Sequence, residues 1–127
     1  MQEKLVYEYA IVRIVPKVER EEFVNVGLIL LCKRARFLKF RFTLHEEKIR
    51  CFCKEFDIEQ AQENLISFEK ICNGDKTSGP IAQLEVEERF RWITAVKSSS
   101  IQSSRPHPGL SADLEKTFEE LYNEFVL

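Results

Sequence analysis

Two runs in the first third of the chain, Val6 to Val15 and Val24 to Cys32, carry apolar residues on both alternating faces. That is the pattern of interior strands covered from two sides. Pro16 ends the first run by removing a donor and fixing φ. The charged Lys17 to Glu22 makes a turn or short excursion before the second run, which is interrupted at Gly27. Lys33-Arg34-Ala35-Arg36 is short enough for a hairpin. Phe37 to Phe42 then alternates, with Leu38, Phe40 and Phe42 on one face and Lys39 and Arg41 on the other, predicting a half-exposed strand near the sheet edge. Three sequential strands with short links make an antiparallel meander the simplest topology.

The period then changes. Thr43-Leu44-His45-Glu46 matches a capping box, and Ile49, Phe52, Cys53 and Phe56 follow as one helical stripe. Asp57 is placed to cap a second helix carrying Ile58, Ala61, Leu65, Phe68 and Cys72, which Asn73-Gly74-Asp75 stops. Glu85 to Ala95 predicts a third helix with Val86, Phe90 and Ile93 inward. Ser98 to Ser104 reads equally as a fourth strand or a loop, and Arg105-Pro106-His107-Pro108-Gly109 as a rigid loop, since two prolines exclude helix. Ser111 opens a last helix with Leu114, Phe118, Leu121 and Phe125. The expectation is one α+β domain over residues 1–127: an antiparallel sheet of three to four strands covered by three to four helices.

Composition narrows the classes of function. The 127 residues carry a net charge of −2, so the whole-molecule field draws the chain to neither nucleic acid nor anionic membrane. The N-terminus lacks the apolar segment of a secretory signal, and no run approaches the ~20 residues that span a bilayer, so a cytoplasmic protein is expected. Cys32, Cys51, Cys53 and Cys72 sit in apolar patterns without CxxC spacing and read as reduced thiols. With only His45 and His107 besides, they make no metal set, and no motif implies a cofactor.

Four groups of residues offer chemistry. Arg89, Arg91, Trp92, Arg105, His107 and the serines 98, 99, 100, 103 and 104 would form an anion pocket if the third helix met the RPHPG loop, because guanidinium forks suit phosphate or carboxylate. The plainer reading pairs Arg89 with Glu85 or Glu88 on its own helix and leaves the serines in a solvated loop. Glu22 and His107 are the candidates for acid–base catalysis, with Asn25 orienting substrate; the structural alternative has Asn25 serving backbone groups where the connector re-enters the sheet. His45 lies in a helix-initiating segment and reads as exposed. Lys33 to Phe42 interleaves basic and aromatic residues as single-strand nucleic-acid platforms do, although one buried and one solvated face explain the alternation as well. The acidic face of the last helix (Glu115, Glu119, Glu120, Glu124) would meet a basic partner surface or simply be solvated.

Three blocks, Glu22-Phe23-Val24-Asn25-Val26-Gly27, Glu88-Arg89-Phe90-Arg91-Trp92-Ile93 and His107-Pro108-Gly109-Leu110, occur in the order seen in a bacterial family. The chain resembles the domain-of-unknown-function family numbered 3037. Arg105 and Pro106 stand before the histidine where that family's pattern has small or apolar residues. The resemblance implies no activity. It implies a prokaryotic protein often encoded beside a HipA-like kinase-fold protein, hence a partner or regulatory role by association. The expectation is therefore an uncharacterised binding or regulatory module, acting through a protein partner or through an anionic ligand held by Arg89, Arg91, Arg105, His107 and Asn25. The alternatives are an enzyme of phosphate-ester or nucleotide chemistry using Glu22 and His107, and a single-stranded nucleic-acid binder.

Overall fold

The computed structural model describes residues 3–95 and 100–127. The predicted meander forms: β1 (Leu5–Ile14) pairs with β2 (Val24–Cys32), and β2 with β3 (Phe37–Phe42), all antiparallel. Two short strands share the other edge of β1. β4 (Ile101–Ser103) pairs with Val12 to Ile14, and β5 (His107–Ser111) with Leu5 to Tyr9. Among the described residues the sheet thus has five strands, more than the three or four expected, because the His-Pro-Gly segment is an edge strand and not a loop. Proline is tolerated there, where a missing N–H breaks no central ladder.

Ser104 makes the corner between β4 and β5. Its N–H donates to the Ile11 carbonyl at 2.8 Å, and its Oγ accepts from the Ile11 N–H at 2.9 Å. The buried hydroxyl is therefore satisfied, as burial of a polar group requires. At Gly109, a Cβ would lie 2.4 Å from the Tyr7 ring. The tyrosine lies across this edge glycine and covers the backbone that a side chain would otherwise shield.

Helices cover both faces, which is why β2 reads as apolar throughout. On one face, α1 (Glu46–Phe52), α2 (Ile58–Cys72) and α3 (Val86–Ala95) bury Ile49, Leu65, Phe68, Phe90 and Ile93 against Val12, Ile14, Val26, Ile29 and Phe40. On the other, α4 (Leu114–Phe125) packs Phe118 and Tyr122 onto Tyr7, Leu28, Leu30 and Cys32. Asp57 caps α2 as expected, accepting from the Gln60 N–H at 3.0 Å. The last helix opens on Asp113, which accepts from the Lys116 N–H, and not on Ser111. Thr43 caps nothing. Its N–H donates to the Val26 carbonyl at 2.7 Å and its hydroxyl meets the Tyr122 hydroxyl, so α1 starts at Glu46 with no side-chain cap. Among the described residues no helix is long and apolar enough to cross a membrane.

Candidate functional site

The residues singled out from the sequence lie apart. Arg89 faces the end of α2, where Nη1 donates to the carbonyls of Ile71 (3.2 Å) and Cys72 (2.8 Å). It caps a helix C-terminus, whose partial negative charge favours a cation. Arg91 is exposed on α3, and Arg105 is exposed at the β4–β5 corner. Glu22 is ion-paired with Arg20. His107 is exposed on β5 opposite Tyr9, with the two rings 5.3 Å apart, and Tyr9 stacks in turn on Phe125 of α4. His107 therefore lies on the α4 face of the sheet, and Arg89 on the α2–α3 face. None of Glu22, Arg89, Arg91, Arg105 and His107 lines a cleft described below. Ser98 and Ser99 lie outside the described residues; Ser103 and Ser104 bond neighbouring backbone.

Two predicted side chains converge on the end of α4. Asn25 Nδ2 donates to the Phe125 carbonyl at 3.1 Å, and His45 Nε2 lies 2.6 Å from the Val126 carbonyl. His45 is thus half-buried, not exposed, because α4 ends against the segment that precedes α1.

The basic face of β3 is only partly solvated. Lys39 and Arg41 point towards α4, where Lys39 pairs with Glu115 at 2.6 Å and Arg41 grips both oxygens of Glu119 at 2.7 and 2.8 Å. Both cations lie over the Phe118 ring, at 4.9 and 5.2 Å from its centre. The Arg41 guanidinium holds the Glu119 carboxyl below the usual range. The alternating basic residues and the acidic helix face are thus in part each other's partners. Burial pushes the Cys72 thiol up to about 12, which leaves it protonated and unreactive.

Arg13 is different. It is the only Lys or Arg in β1 and sits where the β1–β2 register slips: Val12 pairs with Gly27 but Arg13 with Asn25, leaving Val26 as the extra residue. Such a bulge turns the strand and re-aims its side chains. Gly27 fits here against β3, since a Cβ would stand 3.2 Å from the Arg41 carbonyl oxygen. Arg13 also pairs with Gln102 of β4, so Gln102, Arg13 and Asn25 form a polar row across three strands on one face.

The Arg13 guanidinium lies 4.2 Å above the ring of Phe23, itself 46% exposed. Desolvation alone lowers its proton affinity, and among the described residues no carboxylate pairs with it. Among the described residues its Nε is buried with no hydrogen-bond partner, as are Asn25 Oδ1 beside it and Arg89 Nε on the other face of the sheet. Two clefts flank Phe23. One, of about 270 Å³, is lined by Arg13, Val15, Glu21, Phe23 and Gln102. The other, of about 510 Å³, is lined by Phe23, Asn25, Lys48, Phe52, Phe125 and Leu127 among others. A partly desolvated guanidinium with an unused donor is chemically suited to a planar anion. The sequence signal for this site is a single arginine inside an apolar strand; the bulge that aims it has no comparable signature.

Neither the curated proteins nor the solved structures contain a match to the chain. A family match covers residues 9–126 and includes all three motif blocks. Each block contributes to the architecture just described: Asn25 and Gly27 at the bulge, Arg89 at the end of α2, and Gly109 beneath Tyr7. The chain belongs to the family described as Protein of unknown function (DUF3037).

Proposed function

We propose that the chain is a non-enzymatic binding module that recruits a protein partner through the Phe23 end of the sheet. The carrying observation is Arg13: half-buried, stacked on an exposed phenylalanine, and without an ion-pair partner among the described residues. Leaving a cation in this condition costs stability, so a protein that keeps one gains something else by it. Around it, Phe23 and the 63%-exposed Leu127 join half-buried Phe52 and Phe125 in a mostly apolar rim. Exposed aromatics with an arginine are the composition of interaction hot spots.

The kinase-fold protein implied by the family resemblance is the first partner to try. In a co-purification with it, Phe23→Asp is expected to cut the retained partner at least tenfold while leaving the fold intact, since Phe23 is exposed. Equal recovery with wild type and with Phe23→Asp would overturn the docking surface.

A further inference from the structure

We propose that the partner engages Arg13 through a carboxylate, and that a large apolar side chain two residues along the same segment fills the neighbouring cleft. This rests on the docking reading above and names the chemistry that would be docked.

Three observations carry it. First, the other cations on this face of the sheet, Lys39 and Arg41, each have a carboxylate from α4, whereas no α4 residue lines the cleft around Arg13. The face supplies an acid to its cations wherever the helix reaches, and Arg13 lies where it does not. Second, the protein leaves polar atoms beside the cleft unsatisfied. Arg13 Nε is a donor without an acceptor, and Asn25 Oδ1 an acceptor without a donor, yet the two are not bonded to each other. Both atoms are closed off from solvent, so an acidic segment would meet the outer edge of the same guanidinium, whose Nη atoms are not among the buried unpartnered ones. Third, among the described residues Arg13 is the only cation lining the smaller cleft, and Glu21 lines it too. A single guanidinium balances a monoanion, whereas a dianionic phosphate would need further cations. Phe23 walls both clefts, so an acid and an apolar side chain at i and i+2 of an extended segment, which lie on one face, would straddle its ring.

The Arg13 Nε–H resonance reports on this site directly. The ¹⁵N-labelled full chain is titrated with the blocked tripeptides acetyl-Asp-Gly-Phe-amide, acetyl-Asn-Gly-Phe-amide and acetyl-Asp-Gly-Ala-amide, and with inorganic phosphate. The first peptide is expected to shift the Arg13 Nε–H signal saturably. The Asn and Ala peptides are expected to bind at least tenfold more weakly, and Arg13→Met to bind none of them. Equal binding of the Asp and Asn peptides, no saturable shift with any peptide, or a phosphate response as strong as that of the Asp peptide would each overturn the carboxylate assignment. Each of these results leaves the Phe23→Asp co-purification to stand or fall by itself.

Discussion

Arg41 and Arg13 project from the same face of the same sheet and have opposite fates. Arg41 is held by both oxygens of Glu119 and lies over Phe118 and Tyr122, so its charge is neutralised and its stem packed. Arg13 has an aromatic ring on one side and no ion-paired carboxylate among the described residues. What separates them is the reach of α4. Glu115 and Glu119, one helical turn apart, match Lys39 and Arg41, which are two residues apart on the strand. The helix then ends at Phe125, where Asn25 and His45 hold its last carbonyls. One half of the face is closed by its own helix, and the other is left for something else.

The closed half can be broken hardest at Phe118, which is fully buried beneath both cations. Phe118→Ala is expected to cost about 3–5 kcal/mol in a denaturant titration, because a cavity opens and the packing under Lys39 and Arg41 is lost. A loss under about 1 kcal/mol would mean that α4 is held mainly by something other than this contact. Next comes Arg89→Met, which frees the Ile71 and Cys72 carbonyls and is expected to cost about 2 kcal/mol in the same measurement. An effect of that size with an unchanged response to the Asp peptide would confine Arg89 to architecture.

The smallest effect is one of pH. Arg41 depresses the Glu119 carboxyl below its unfolded value, so this pair stabilises the fold above the ordinary glutamate range near pH 4.3 and stops doing so as pH falls through the lower folded value. Urea midpoints taken from about pH 6 to about pH 2.5 are expected to fall less steeply for Glu119→Gln than for wild type. Parallel curves would show that the ion pair contributes nothing to the closed half.

What the sequence revealed of this picture follows from how local each feature is. β1 and β2 were legible because burial from two sides leaves apolar residues at nearly every position, and α2 because Asp57 and one apolar stripe bound it. The capping box at Thr43 misled because the same residue is claimed by a distant carbonyl, that of Val26. β5 was hidden by Pro108 and by Pro106 just before it; an edge strand tolerates such a proline. Lys39 and Arg41 were correctly assigned to one face, but the helix that covers that face lies some 75 residues further along the chain. The candidate residues divide the same way: Arg89 and Asn25 stood out in motif blocks and serve distant carbonyls, whereas Arg13 depends on a one-residue slip between strands.

If Arg13 is kept for binding and not for the fold, Arg13→Met is at least as stable as wild type. Methionine fills a similar volume without a desolvated charge or an unused donor, so the denaturant midpoint is expected to stay level or rise, by up to about 1 kcal/mol, while binding of the Asp peptide is lost. A drop of about 2 kcal/mol or more, as expected for Arg89→Met, would make Arg13 one more architectural tie and not a binding residue.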